Sequence, residues 1–215
     1  MTPTTTVHPA TGTAITSGLR LVLLLVGGVA ISVGCGTSTD NGHGIASVKP
    51  RAAASLPPAF AWLRDAAPSG WPMIRVSSGA AMVYPPGWHL AHGDPGTATA
   101  VALDAHGHYL GYLNLTPRQA NEQLASWPTF RLAHNSDEGD RGVVSLAQAT
   151  DLPFRTGTGS CVEDDYTTRT GSHFREIACL VTSFRTASVI VGAAPPAQWS
   201  AVAPLLQNAV ASVRT

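Results

Sequence analysis

The chain has 215 residues, enough for one domain or two, and 44% of them are hydrophobic, as in an ordinary globular protein. Its 13 basic and 13 acidic residues give a formal net charge of zero, and the sequence has no long basic run. Because proteins bind the phosphate backbone through clustered Lys and Arg, this composition argues against a nucleic-acid partner.

Residues 1–35 have the organisation of an export signal. The apolar run 21–33 has the length of a secretory hydrophobic region and is shorter than the roughly 20 residues of a membrane-spanning helix. The run ends in Gly34-Cys35, which resembles the lipobox of bacterial lipoproteins and implies cleavage before Cys35 and attachment of diacylglycerol to its sulfur. Ser32 stands where that motif usually has Leu. An uncleaved signal anchor, or cleavage elsewhere with Cys35 unmodified, is the alternative.

The rest of the chain is divided into a tether and one domain. Residues 36–57 are rich in Gly, Ser, Ala and Pro, which predicts a flexible tether, and 58–215 are predicted to form a single α+β domain. Helices are predicted over 57–65 and 117–127, a polar loop over 135–141, and strands over 73–76, 80–84, 88–91, 98–103, 109–115, 143–149 and 187–193. Pro195-Pro196 opens a terminal helix whose apolar stripe is Trp199, Val202, Leu205, Leu206, Ala209 and Val213.

Cys161 and Cys179 lie in two strand-like runs on either side of the turn signal Thr170-Gly171. A three-residue loop, 169–171, with Gly171 in the left-handed conformation, makes the two runs a β-hairpin. Counting outward from that loop places Cys161 opposite Cys179, close enough for a disulfide. In an exported protein the pair is expected to be oxidised. A metal site is the competing interpretation, and it lacks a CxxC spacing or a histidine partner.

The same hairpin register makes three further pairs. It sets Tyr166 opposite Phe174 and Asp165 opposite Arg175, and both pairs are favourable. It also sets Asp164 opposite Glu176, which is unfavourable unless that edge is exposed or a cation lies beside it.

Three features of residues 70–215 occur together: a strand that leads into Tyr84-Pro85-Pro86-Gly87-Trp88, a meander after it and a proline-started final helix. In these features the chain resembles the PsbP/Mog1 group of small α+β domains and the actinobacterial lipoproteins that share it. The segment 160–179 is also similar to secreted actinobacterial proteins. The resemblance implies an antiparallel meander sheet packed by two or three helices and a binding or scaffolding role. It supplies no catalytic motif.

No GxSxG, P-loop, HExxH or GxGxxG motif is present, so candidate chemistry rests on scattered polar residues. Each group is a candidate metal or catalytic site, and a solvated turn or loop is the alternative interpretation. For the acidic run the candidate metal is Ca²⁺. The groups are Asp104 with His106 and His108, His89 and His92 near Asp94, the run Glu163-Asp164-Asp165, and His134 with Asp137 and Glu138. The five tryptophans are predicted to be core and rim residues, with a ligand groove as the alternative.

These patterns predict a lipoprotein anchored by its acylated N-terminus to the outer side of the cell membrane. We expect a binding or assembly module for an envelope protein or a small ligand, without a cofactor or metal and without enzymatic activity. The alternative is a small extracytoplasmic hydrolase or metal-dependent enzyme with a site assembled from distant residues. A concave pocket with two convergent titratable groups would favour the enzyme, and a flat apolar patch would favour the module.

Overall fold

The computed structural model describes residues 56–65 and 68–215, which all belong to one structural unit. The predicted signal segment, with Cys35, and nearly all of the predicted tether lie outside the described residues. No helix in the described part of the chain is long and apolar enough to cross a membrane.

The described residues form nine strands and two α-helices. The elements in chain order are a 3₁₀ helix Pro58–Arg64, β1 (Met73–Arg75), β2 (Ala81–Val83), β3 (His89–Ala91), β4 (Ala98–Leu103), β5 (Tyr109–Pro117), a 3₁₀ turn Leu124–Ser126, α1 (Trp127–Asp137), β6 (Arg141–Phe154), β7 (Gly157–Thr167), β8 (His173–Thr182), β9 (Ala187–Ala194), a 3₁₀ turn Pro196–Gln198 and α2 (Trp199–Ala211). The strands and the terminal helix lie close to their predicted positions.

Strands β3 to β9 form one antiparallel sheet in the order β3-β4-β5-β9-β8-β7-β6, and β1 pairs with β2 in a separate small sheet. The large sheet consists of two meanders, β3–β5 and β6–β9, which join where β5 pairs with β9. The predicted α+β class with an antiparallel sheet is confirmed. Strand β9 from Val189 onward and the second half of β8, from Ile177 to Val181, are continuously apolar and are buried on both faces of the sheet.

One side of the large sheet, the α2 face, carries the larger core. Helix α2, the 3₁₀ helix Pro58–Arg64 and the small sheet pack there, and α2 buries Leu206 completely. The Tyr84–Trp88 turn places the Trp88 ring against Gly111, where an added Cβ would lie 2.6 Å from the ring. The turn that carries part of the family resemblance therefore has a packing role.

The opposite side, the α1 face, is covered by α1 over β6, β7 and β8. The Trp127 indole, fully buried at the start of α1, donates a hydrogen bond to the Ala178 carbonyl oxygen at 3.0 Å. Around Trp127 lies a second core that includes Val162, Leu180 and Val189.

The prediction of a helix over 117–127 is wrong. Pro117 is the last residue of β5, and α1 begins at Trp127 with Pro128 in its first turn, a position that proline favours. The predicted polar loop from residue 135 is also partly wrong, since α1 continues to Asp137. Helix α1 was missed because its buried face carries Arg131 and Asn135, so the segment lacks an apolar stripe.

The β7–β8 hairpin has the predicted register. Thr168 and Ser172 close a three-residue loop through a 2.8 Å backbone hydrogen bond, and Gly171 has a φ of 94°. Cys161 lies opposite Cys179 and the two form a disulfide with an S–S distance of 2.05 Å. The Arg175 guanidinium donates two hydrogen bonds to the Asp165 carboxylate, at 2.7 and 2.9 Å.

We predict that non-reducing mass spectrometry of the purified full-length protein will show a Cys161–Cys179 bridged peptide. Replacing both residues (Cys161→Ser with Cys179→Ser) should lower the free energy of unfolding by about 3 kcal/mol, because the bridge closes a loop in the unfolded chain. Urea unfolding measures that loss. Cys35→Ala is the control and should leave the bridge in place, whereas two free thiols in the wild-type protein would contradict the prediction.

Candidate functional site

A cluster of polar side chains is buried between α1 and the sheet. Asp164 and Glu176 lie opposite each other on β7 and β8, and both are fully buried on the α1 face. The Arg131 guanidinium donates from Nε to Glu176 Oε1 at 2.6 Å and from Nη2 to Oε2 at 2.9 Å. Asn135 Nδ2 donates to Asp164 Oδ2 at 3.1 Å, and the Tyr166 hydroxyl donates to Glu176 Oε2 at 3.2 Å. Helix α1 is therefore held to the sheet by one cation and one amide.

The cluster contains two carboxylates and one guanidinium, and Arg131 forms its ion pair with Glu176. Asp164 Oδ1 is buried without a hydrogen-bond partner among the described residues. Burial, and then the charge of Glu176, raises the pKa of Asp164 to about 8. Asp164 is therefore mainly protonated at neutral pH, so the cluster holds one carboxylate charge against one guanidinium.

The shifts at Arg131 and at the two nearby phenols, Tyr166 and Tyr112, favour their ordinary charge states. Burial alone would lower the pKa of Arg131, but the charge and hydrogen bonds of Glu176 outweigh burial and raise it. Burial and the Glu176 charge raise the pKa of Tyr166, and they raise the pKa of Tyr112 on β5 to about 12. Both phenols are neutral at physiological pH and can act as hydrogen-bond donors.

The acidic run 163–165 does not form the solvated hairpin face that the sequence suggested. Its members divide between the two sides of the sheet, because side chains alternate along a strand. Asp164 is buried under α1, and Asp165 binds Arg175 on the α2 face. Burial raises the pKa of Glu163, which is partly buried on the same face as Asp165. The three carboxylates therefore do not converge on one cation.

A surface pocket of about 260 Å³ lies beside α1, against the loop that follows β5. The loop contributes two amide side chains and a carboxylate, and the helix contributes an aromatic ring, a methyl group, an imidazole and a second carboxylate. The lining residues are Gln119, Asn121, Glu122, Phe130, Ala133, His134 and Asp137.

Glu122 is the unusual member of this pocket. It is 8% exposed, and its Oε2 accepts a hydrogen bond from the Gln119 backbone N–H at 2.6 Å. Burial raises its pKa, against the opposing effects of that hydrogen bond and of the surrounding cations. His134 stacks on Phe130 with ring centroids 5.8 Å apart, and its Nε2 lies 3.3 Å from Glu138 Oε1. The pocket thus holds titratable groups that come from two separate segments.

The other histidine groups lie apart from this site. Asp104 Oδ1 accepts the backbone N–H groups of His106 and His108, and its Oδ2 lies 3.0 Å from His108 Nδ1. These hydrogen bonds, led by that from the His108 backbone, lower the pKa of Asp104 and fix an exposed turn. His89 and His92 are exposed at and beyond β3. Among the described residues, no group of three or more His, Cys, Asp or Glu side chains is placed to hold a metal ion.

The tryptophans are core and rim residues, as predicted. Trp127 belongs to the core of the α1 face, and the others are partly buried against the core of the α2 face: Trp62, Trp71, Trp88 and Trp199. The sequence did not identify Arg131, Asn135 or Glu122 as site residues. The one available signal was the Asp164–Glu176 conflict, which required a nearby cation without saying where it comes from.

No family model matches the sequence, and no curated protein matches it. Solved structures similar to this chain include the PsbP protein CyanoP of Synechocystis sp. PCC 6803, with 14% identity, a TM-score of 0.49 and coverage of 67% of this chain and 91% of that one. LpqN of Mycobacterium tuberculosis, involved in cell envelope biogenesis, is 10% identical with a TM-score of 0.33, over 66% and 82%. A Bacteroides thetaiotaomicron VPI-5482 protein is 12% identical with a TM-score of 0.41. The match covers 66% of this chain but only 47% of the Bacteroides protein. These identities and scores carry no argument about activity.

Asp164→Asn should make the protein more stable than the wild type at pH 8. The pKa of Asp164 is raised from 3.8 to about 8, so its protonated form favours the folded state. The stabilisation from protonated Asp164 is complete below the pKa of this carboxyl in the unfolded chain, and it is lost as the pH rises through the pKa in the folded protein. The variant's advantage in urea unfolding should therefore grow between about pH 4 and pH 8.

Asp165→Asn is the matched control with the opposite sign. The hydrogen bond from Arg175 lowers the pKa of Asp165, so its stabilisation is present at neutral pH and is lost as the pH falls. This variant should be less stable than the wild type at pH 7 and should approach it in acid. If the free energy of unfolding depends on pH in the same way for the wild type and for Asp164→Asn, the raised pKa assigned to Asp164 is contradicted.

Proposed function

We propose that this chain is a lipid-tethered extracytoplasmic binding module of the bacterial cell envelope, with its ligand site in the pocket beside α1. The observation that carries the proposal is the Cys161–Cys179 disulfide between β7 and β8. Structural disulfides form and persist outside the reducing cytoplasm. The apolar run 21–33 gives the chain a route to that compartment.

Cys35 supports a lipid tether over simple secretion. It follows the apolar run after one residue, Gly34, at the position that the lipobox resemblance assigns to the acylated residue. One acyl chain gives only marginal membrane binding, whereas a second chain makes it stable, because each buried methylene contributes about 0.8 kcal/mol. A diacylglycerol on Cys35 would meet that requirement without a membrane-spanning helix.

The position where the chain enters the domain supports a ligand site on the α1 face. Leu56, the first described residue, packs against the core of the α2 face. The pocket lies beside α1, on the other side of the sheet. Leu56 and the pocket therefore lie on opposite faces of the sheet, so a ligand in the pocket does not compete with Leu56 for the same surface.

The hydrogen bonding favours binding over covalent catalysis. A nucleophilic Ser, Thr or Cys is normally activated by a base within hydrogen-bond reach. In residues 56–65 and 68–215, the histidine rings within polar reach of a side chain are His108 and His134, and their partners are the carboxylates of Asp104 and Glu138. Both cysteines of this region are in the disulfide. This arrangement supports the module.

An enzyme is the second candidate, and one feature of the pocket favours it. Glu122 and His134 are two titratable groups in one concave site, and burial raises the pKa of Glu122 as in many general acids. If the chain is a hydrolase of this kind, Glu122→Gln will abolish turnover in a screen of chromogenic esters, glycosides and phosphates. The module proposal requires that no turnover depend on Glu122.

Cys35→Ala should abolish incorporation of labelled palmitate and move the protein from the detergent phase to the aqueous phase. The reason is that the cysteine sulfur is the proposed attachment point of the lipid. Ser32→Leu, which restores the usual lipobox residue, is the matched control and should be labelled at least as strongly as the wild type. Equal labelling of Cys35→Ala and the wild type would refute the tether.

The location of the ligand site can be tested by photo-crosslinking in intact cells. A benzoylphenylalanine at Ala133, an exposed wall of the pocket, should give an adduct that mass spectrometry detects. The same residue at Phe184, 90% exposed in the β8–β9 turn, is the control and should give none. Equal adducts at both positions, or an adduct at Phe184 alone, would rule out the α1 side as the ligand site.

A further inference from the structure

We infer that the pocket beside α1 binds the primary ammonium group of a small aliphatic amine, with the Glu122 and Asp137 carboxylates accepting hydrogen bonds from its N–H groups. The inference gives the binding module proposed above a ligand class, and it rests on that proposal. It depends on three observations: the burial and hydrogen bonding of Glu122, the charges of the residues that line the pocket, and the stacking of His134 on the Phe130 ring.

Glu122 is a buried acceptor with unused capacity. The residue is only 8% exposed and lines the pocket, and one carboxylate oxygen, Oε2, is occupied by the Gln119 backbone N–H. Oε1 makes no hydrogen bond with the described residues, and Glu122 forms no ion pair with them. Burying a carboxylate without a charged partner is costly, and burial does raise the pKa of Glu122. A bound cation would remove that cost.

The lining selects for positive charge. Two of its residues are carboxylates, Glu122 and Asp137, and none is Lys or Arg. Two arginines act on Glu122 through their charge. Arg131 is engaged with Glu176 under the helix. Arg118 is exposed and forms no ion pair with Glu122 in the described part of the chain. The side-chain oxygens of Gln119 and Asn121 add neutral acceptors at the loop side. An ammonium group has three N–H donors and no acceptor, which suits such a set.

The aromatic wall argues for an ammonium with N–H donors over a quaternary one. Quaternary ammonium groups are bound by the open faces of several aromatic rings. Among the described residues that line the pocket, Phe130 is the only one with an aromatic hydrocarbon ring, and His134 stacks on it with an interplanar angle of 10°. Trp127 lies 5.9 Å from it between ring centroids. Phe130 and Ala133 remain available as an apolar wall for a short carbon chain, which a bare metal ion would not use.

His134 is the internal competitor for Glu122, since a protonated imidazole could supply the missing positive charge. Its Nε2 is directed to Glu138 Oε1, at 3.3 Å. No ion pair joins it to Glu122 in the described part of the chain. Glu122 therefore keeps its free oxygen while His134 is paired elsewhere.

Isothermal titration calorimetry of the full-length protein in detergent, at fixed ionic strength, tests the inference with putrescine as the probe. Saturable binding of putrescine is expected. Butanediol, which has the carbon chain without the charge, and tetramethylammonium, which has the charge without N–H donors, should not bind. No saturable heat with putrescine, or equal binding of either control compound, would overturn the inference, as would binding of Ca²⁺ in its place.

Variants assign the binding to the pocket. Glu122→Gln and Asp137→Asn should each weaken putrescine binding about tenfold or more, because each removes a charge-assisted hydrogen bond. Asp94→Asn, which removes one charge from the exposed β3–β4 loop, is the matched control and should bind as the wild type does. Circular dichroism shows whether each variant is folded, and wild-type affinity in both pocket variants would place the amine elsewhere and refute the assignment.

The amine could be free or part of a lipid headgroup, and two further titrations distinguish these sources. Glycerophosphoethanolamine carries a primary ammonium group, and glycerophosphocholine carries a quaternary one. Binding of the first compound alone would identify a lipid headgroup as the source, and binding of neither would leave a free amine. Equal binding of both would contradict the requirement for N–H donors. A failure of all these ligands leaves palmitate labelling at Cys35 unaffected, so the tether is judged separately.

Discussion

The register of β7 against β8 is the constraint on which most of this structure depends. Side chains alternate along a strand, so a slip of one residue would move every side chain of the shifted strand to the opposite face. The observed register places Cys161 opposite Cys179 in the core of the α2 face. It also places Asp164 opposite Glu176 under α1. A stabilising covalent pair and a repulsive carboxylate pair therefore arise from the same alignment.

The repulsive pair determines where α1 lies. Arg131 neutralises Glu176, Asn135 binds Asp164, and protonation of Asp164 removes the second charge. A buried ion pair contributes little net stability, because desolvation offsets most of the attraction between its charges. Its directional hydrogen bonds do favour one position of the helix over others. We therefore regard the cluster under α1 as a device that positions the helix, and Trp127 adds apolar packing and a hydrogen bond to the Ala178 carbonyl oxygen.

The placement of α1 creates the pocket. The chain leaves β5 at Pro117 and must reach Trp127 before the helix begins, so the intervening loop lies beside the helix. That loop brings Glu122 next to His134 and Asp137, which are on the outer side of α1. The buried cluster and the pocket thus use neighbouring sides of one helix. Anything that shifts α1 on the sheet changes the pocket as well, and this links the two parts of the site.

The sequence by itself determined the features that rest on local pairing. The Gly171 turn and strand alternation were enough to give the β7–β8 register, and the proline pair at 195–196 with its apolar stripe was enough to give α2. Only the tertiary structure decided the position of α1, the burial of Asp164 and the assembly of the pocket. Arg131 and Glu176 are 45 residues apart along the chain, and a helix that buries polar side chains against charged partners has the sequence pattern of a solvated segment. Propensity and periodicity report burial in apolar surroundings, so they could not reveal a buried face built from ions and amides.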